Sequence, residues 1–473
     1  MNNLSIIITE NAFFIAKTML NIDKINNLIA NSAEEPAKIR EILAKAKLAQ
    51  GLNLEDIAVL TTIKDSELTE ELFATARQIK NQIYGNRIVI FAPLYISNLC
   101  ANECLYCAFR ATNTALHRRS LSQAEIATDV EYLINQGHKR ILLVAGESHT
   151  RKEIDYILQS IDTIYNVKNN HGAIRRINVN IAPLSSADFK LLKKANIGTY
   201  QLFQETYDPV TYQKVHIGGK KIDYEWRLSA MERAIEAGID DVGIGVLFGL
   251  ADWRFELLAL LQHAQYLDAK FGIGPHTISV PRLEPATGST MASNPPAKVS
   301  DFDFSKIIAI LRLAVPYTGI ILSTRETSAT RRKALAFGVS QISAGSKTDP
   351  GGYSKNDTNA SQFALGDHRS LDEVIRDIAA ENYLPSFCTA CYRLKRTGKT
   401  FMDLAKNGNI KNMCQLNAII TFAEYLTDYA SPATKKIGNA LIKQELIKLP
   451  AEQQKLASKM MEKTINGERD VYI

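Results

Sequence analysis

Residues 87–110 read RIVIFAPLYISNLCANECLYCAFR: an apolar run rich in β-branched and aromatic residues that breaks into a short polar loop carrying three cysteines. Seven further strand candidates follow: RILLVAG (140–146), RRINVNIA (175–182), GTYQLF (198–203), DDVGIGVLF (240–248), HTISVP (276–281), TGIILSTR (318–325) and GVSQISAG (338–345). Helices of apolar period three and four fill the intervals, and several have legible starts. Ser122 with Glu125, and Thr150 with Glu153, form capping-box patterns. Asp252 and Ser300 stand as N-caps before helices over about 254–271 and 302–315. Strands alternating with helices predict a parallel sheet, and eight strands is the number that closes a TIM-type (β/α)8 barrel. A doubly wound open sheet is the competing topology, because strand order is not written in a single sequence.

On the upstream side, residues 23–84 carry helical periodicity, as in Leu68, Leu72, Ala76 and Ile79, with Gly51 and Gly85 as stops. So short an array has little core of its own, so residues 1–86 read as a helical extension rather than an independent domain. The barrel is expected over 87–380. Residues 381–473 are expected to form a mainly helical C-terminal domain. The segment 345–368, rich in Gly, Ser, Asn and Asp, reads as a loop after strand eight, on the face where barrels carry their chemistry.

The 473 residues are 46% hydrophobic and 22% charged, which excludes disordered, collagenous and coiled-coil classes. The net charge of +6 is spread without a basic block, so no nucleic-acid partner is implied. An apolar stretch from Leu4 to Leu20 is interrupted by Glu10 and Lys17, with no basic run before it and no small-residue cleavage site. The expectation is a cytoplasmic protein without a membrane partner. Its six cysteines fall into two triplets, Cys100, Cys104, Cys107 and Cys388, Cys391, Cys414, a distribution suited to metal or redox chemistry rather than a disulfide framework.

Cys100-x3-Cys104-x2-Cys107 can hold three corners of a 4Fe-4S cube, leaving one iron with an open coordination position. Structural zinc is the alternative and would need a fourth ligand such as His117. Tyr106 and Phe109 supply an apolar collar better suited to a cluster. The motif, on the loop after strand one of a barrel, resembles the radical S-adenosylmethionine superfamily. That resemblance implies that Cys100, Cys104 and Cys107 bind the cluster while its open iron chelates the methionyl group of S-adenosylmethionine, whose cleavage yields a 5′-deoxyadenosyl radical. Ala145-Gly146-Glu147 resembles the superfamily's Gly-Gly-Glu turn, departing from it at Ala145. Gly243-Ile244-Gly245-Val246 resembles its adenine-side segment. Gly146, Glu147, Gly245 and Glu205 are the expected cofactor contacts.

Cys388-x2-Cys391-x22-Cys414 is a second set of three thiols, read as a second cluster or, with His368, as a zinc knot. With YQLFQETY (200–207), GPHTISVPRLEPA (274–286), LSTRE (322–326), SAGS (343–346) and FCTACYR (387–393), it resembles the HydG family of tyrosine lyases that mature FeFe-hydrogenases, over essentially the whole chain. The related 2-iminoacetate synthases share the barrel words but generally lack the C-terminal cysteines. The resemblance implies cleavage of the Cα–Cβ bond of L-tyrosine to p-cresol and dehydroglycine. Dehydroglycine would then be converted to carbon monoxide and cyanide at a second 4Fe-4S cluster carrying an additional iron, for assembly of the hydrogenase H-cluster. It also implies an electron donor such as ferredoxin or flavodoxin and other hydrogenase maturation proteins as partners.

A free amino acid needs a carboxylate partner, for which a planar arginine is suited. Arg325 at the end of strand seven is the candidate and Arg282 after strand six its rival, with Ser343 and Ser346 as hydroxyl donors. His276 opens strand six at the bottom of the barrel, and a lone histidine there is more often structural. The resemblance implies that it reaches the additional iron, which would put two clusters at opposite mouths of one barrel. Two other activities remain open: 2-iminoacetate synthesis alone, and electron carriage without a substrate.

Overall fold

All eight predicted runs contain strands, six of them shorter than predicted, the first unchanged, and the fourth shifted two residues toward the C-terminus. In the computed structural model, which describes residues 19–149, 152–355, 360–406 and 410–473, they are β1 Arg87–Ser97, β2 Arg140–Ala145, β3 Arg176–Asn180, β4 Tyr200–Glu205, β5 Val242–Val246, β6 Thr277–Ser279, β7 Gly319–Leu322 and β8 Gln341–Ser343. Each pairs in parallel with its neighbour in sequence. β8 returns to β1 in the register Val89↔Gln341, Ile90↔Ile342, Phe91↔Ser343. The sheet is therefore a closed TIM-type barrel, and the open-sheet alternative is excluded.

The helix starts follow the caps. Ser122 and Glu125 form the capping box of helix Gln123–Gln136, which ends on left-handed Gly137. Asp252 caps Trp253–Phe271 and Ser300 caps Asp301–Ala314. Thr150 lies outside the described residues. The carboxylate of Glu153 instead accepts from the backbone N–H groups of Ser148 and His149, at 3.3 and 2.6 Å. Most of the stretch Leu4–Leu20 is likewise outside the described residues. No described helix is long and apolar enough to cross a membrane.

The N-terminal helices Ile22–Asn31, Pro36–Ala46, Leu54–Thr61 and Ser66–Ile83 lie against the barrel's outer ring. Polar anchors supplement their apolar faces: Lys306 Nζ donates to the carbonyls of Thr61 and Ile63, and Lys80 Nζ to that of Leu335. Each cation thus satisfies a helix or loop terminus that burial would otherwise leave unpaired.

One strand of the barrel sheet was not foreseen. Leu384–Ser386, here β9, runs parallel to the first residues of β1, Arg87↔Leu384 through Val89↔Ser386. The boundary expected at 381 therefore falls at the edge of a hydrogen-bonded sheet. Cys388 follows this strand by two residues and so starts at the N-terminal mouth of the barrel. Helices Gly398–Lys406, Ile410–Asp428, Pro432–Ile447 and Ala451–Ile465 complete the C-terminal segment.

Candidate active site

The loop after β1 is folded by its own polar side chains. Arg118 donates to the carbonyls of Asn98 and Phe109, both at 2.8 Å, and Glu103–Cys104 pairs antiparallel with His216–Gly218. Cys100, Cys104 and Cys107 line one cavity with Gly146, Glu147 and Lys221. Burial pushes the Cys100 thiol up to about 12 and raises Cys104 and Cys107 as well, so these sulfurs need a positive ion to become thiolates. The Phe109 N–H at 3.4 Å and the Gln362 amide at 3.8 Å point at Cys107 Sγ.

The charged wall of this cavity is a network. Glu147 accepts from Arg227 Nη1 at 2.9 Å and Asn102 Nδ2 at 2.8 Å. Burial would raise its carboxyl, but the Arg227 and Lys221 cations outweigh that and hold it down to about 2. Glu205 pairs with Lys221 at 2.7 Å and takes a left-handed backbone, φ 72°, where β4 bulges against β5. A non-glycine residue held there is strained, as active-site residues often are. Gly146 is required sterically: a Cβ would overlap the carbonyl oxygen of Leu99, one residue before Cys100.

Gly245, an expected cofactor contact, lies in β5 between its neighbours β4 and β6. A Cβ there would stand 2.6 Å from Phe203 and 2.9 Å from the Ser279 carbonyl, and the residue lines neither upper cavity. Its lack of a side chain is explained by packing between adjacent barrel strands.

A second, largely apolar cavity adjoins the first inside the barrel and shares Cys107, Glu205 and Lys221 with it. Arg325 lines it, its guanidinium 3.3 Å from the centroid of the Phe363 ring. Among the described residues no carboxylate lies within ion-pair distance of Arg325, and burial lowers its pKa. Ser343 also lines the cavity, and its hydroxyl accepts from the Thr324 N–H at 3.2 Å, fastening the turn that presents Arg325. The rival Arg282 is committed elsewhere: Nε donates to Glu326 Oε1 at 2.8 Å, Nη1 sits 2.8 Å from Asp301, and the residue does not line the cavity. The hydroxyl of Ser346 is also outside it, buried without a hydrogen-bond partner among the described residues.

At the opposite, N-terminal mouth, Cys388, Cys391, Cys414 and His276 line one cavity with Arg87, Arg140 and Arg396. A hydrogen bond with Cys391 holds Cys414 down against burial, and the three guanidiniums add to it. Burial lowers the pKa of His276, opposed by Asp241. The zinc alternatives lose their histidines. His368 lines a groove at the other end of the barrel with no cysteine in it, and His117 is absent from the cavity of the first triplet.

Both donor sets fit iron-sulfur cubes. Among the described residues no three His, Cys, Asp or Glu side chains stand close enough to ligate a single metal ion. Each triplet instead lines a cavity, as suits a cube whose thiolates take different irons. The unpartnered Nε atoms of Arg87 and Arg396 leave donors available to an anionic cluster at the lower mouth. Sequence reasoning missed Asn102, Lys221 and Arg227. Only Lys221 had a signal, in the GGKK turn at 218–221, and nothing tied it to Glu205.

Two family profiles match the chain: the radical SAM superfamily over residues 94–261, and the biotin and thiamin synthesis associated domain over 279–384. The crystal structure of HydG, a maturase of the FeFe-hydrogenase, superposes with a TM-score of 0.93 at 48% identity, covering 96% of this chain and 100% of that one. HydG from Carboxydothermus hydrogenoformans gives 0.82 at 44%, covering 96% and 99%. The 2-iminoacetate synthase of Escherichia coli K12 is 31% identical over 342 residues, 72% of this chain and 88% of that one.

Proposed function

This chain belongs to the HydG family of radical S-adenosylmethionine enzymes, and on that premise we propose that it is a tyrosine lyase whose products supply carbon monoxide and cyanide to the FeFe-hydrogenase H-cluster. The observation that carries the proposal is the pairing of two thiol triplets at opposite mouths of one barrel, with, in the cavity between, an arginine that has no carboxylate partner among the described residues.

Cys100, Cys104 and Cys107 would hold the upper cube, and Cys388, Cys391 and Cys414 the lower one. Bound there, the upper cluster with S-adenosylmethionine would supply the radical chemistry that takes a hydrogen from tyrosine, and the lower cluster would supply the site for splitting dehydroglycine.

The protein's own residues do the rest. Glu147, kept ionised by Arg227 and Lys221, would accept from the methionyl ammonium of the cofactor. Arg325 grips the substrate carboxylate with its planar fork, and Phe363 holds the guanidinium flat from behind. Apolar walls such as Leu142, Leu247 and Ile321 exclude water around the radical path. Gln201 in β4 and Thr277 in β6 stand 3.4 Å apart, and at the lower mouth His276, which lines the cavity of the second triplet, would reach the additional iron carried as cargo.

The test is anaerobic reconstitution with iron, sulfide, S-adenosylmethionine and dithionite. Formation of 5′-deoxyadenosine should depend on tyrosine, with p-cresol and carbon monoxide appearing together. Cofactor cleavage indifferent to tyrosine would refute the assignment. p-Cresol without carbon monoxide would instead mark a 2-iminoacetate synthase.

A further inference from the structure

Asp241 is 1% exposed, and among the described residues neither of its carboxylate oxygens has a hydrogen-bond partner. An isolated buried carboxylate is costly, so an unpaired one asks for a donor. Nor does any lysine or arginine of the described residues lie within ion-pair distance. The Nδ1 atom of His276, at 3.6 Å from Oδ2, does.

The backbone places the two side chains side by side. Asp241 immediately precedes β5, its carbonyl accepting from Tyr200 N–H, and His276 immediately precedes β6, its N–H donating to the Val242 carbonyl at 2.8 Å. Strand alternation sends the adjacent Asp240 outward, where it accepts from Thr397 Oγ1 at 2.8 Å in the cysteine-bearing segment. Asp241 is therefore left facing in. The His276 ring also lies against the Phe401 ring, centroids 4.0 Å apart at 32°, so one face is packed while one ring nitrogen faces Asp241. The ring shares its cavity with all three C-terminal cysteines.

We infer that Asp241 is a positioning residue: it accepts the Nδ1 proton of His276, fixes that tautomer, and so presents the Nε2 lone pair to the cargo iron beside Cys388, Cys391 and Cys414. The inference rests on the proposed role of His276 as a ligand. A carboxylate behind a ligating imidazole both orients the ring and raises its basicity, and losing such a partner typically costs about 10- to 100-fold in metal affinity.

The experiment titrates ferrous iron into the anaerobically reconstituted full chain and measures iron retained against a ferrous chelator, for the wild type, Asp241→Asn, His276→Ala and the double variant. Asp241→Asn, which keeps the shape and removes the charge, should weaken retention of the additional iron by about 10- to 100-fold while both cubes keep their iron. His276→Ala should weaken it further, and adding Asp241→Asn to that variant should change nothing more. Asp241→Glu, which keeps the carboxylate charge at a longer reach, should fall between the wild type and Asp241→Asn. Wild-type retention in Asp241→Asn beside a loss in His276→Ala would overturn the inference and leave the ligand role of His276 standing. An undiminished effect of Asp241→Asn in the absence of the imidazole would overturn it as well, since Asp241 would then act on the fold. Wild-type retention in His276→Ala would remove the premise itself.

Discussion

Arg325→Met removes a half-buried guanidinium that lines the central cavity and has no carboxylate partner among the described residues. In the resting protein that cation carries part of the desolvation penalty of a buried ion, against which contact with the Phe363 ring returns about 0.5–2 kcal/mol. Methionine matches its length and fills the apolar part of its path. The variant is therefore expected to be as stable as the wild type or more stable by about 1–2 kcal/mol. Substrate binding moves the other way. Two charge-assisted hydrogen bonds to a carboxylate contribute about 1.5–3 kcal/mol each, so their loss should cost roughly two to four decades in apparent tyrosine affinity. Arg325→Lys keeps the charge without the fork and should lose about one to two decades. The assay pairs the KM for tyrosine in anaerobic p-cresol formation with the thermal unfolding midpoint of the same preparation. An unchanged KM together with a lowered midpoint would refute the reasoning, because Arg325 would then be a structural residue.

Gly146→Ala should destabilise the protein by about 1–3 kcal/mol, since its methyl overlaps the Leu99 carbonyl and displaces the loop ahead of Cys100; reduced iron content at the upper site and a lowered unfolding midpoint would both register it. Replacing Cys100, Cys104 or Cys107 by Ala should abolish 5′-deoxyadenosine formation, measured by chromatography of the quenched reaction, because a cube lacking one ligand cannot deliver the reducing electron. A pH effect is expected at Glu256, which is fully buried, accepts from Tyr207 N–H at 2.8 Å and is pushed by burial from 4.5 up to about 8. Its folded pKa lies above the unfolded one, so its contribution is fully present below about pH 4.5 and is lost as pH rises through about 8. Glu256→Gln, isosteric with the protonated form, should therefore gain stability relative to the wild type between pH 5 and 8 in thermal unfolding, and a constant difference across that window would contradict the assignment.

The barrel was legible because its strands are largely buried and read as short runs weighted toward apolar and β-branched residues, and because the helix starts carry oxygen caps at Ser122, Asp252 and Ser300. The two triplets were legible because their spacing is local. Leu-Pro-Ser at 384–386 was not, since three residues with a central proline carry no strand signal until β1 offers an edge. Arg282 and Arg325 occupy equivalent positions after consecutive strands, and only the Glu326 and Asp301 carboxylates, placed by the fold around one of them, tell them apart. At Gly245 a glycine in a strand records only that something is close, without saying whether it is a ligand or the Phe203 ring. Asp241 could not be read at all, because its relation to His276 spans two strands of the sheet.

The claim that radical cleavage and diatomic formation belong to different mouths of one barrel is tested most directly by Cys388→Ala/Cys391→Ala, with p-cresol and carbon monoxide measured in the same anaerobic reaction. The upper cavity shares no residue with the lower one, so p-cresol should continue to form while carbon monoxide disappears. Parallel loss of both products would mean that the C-terminal thiols only hold the fold together. Retention of both would mean that they take no part in the chemistry, and either result would contradict the account.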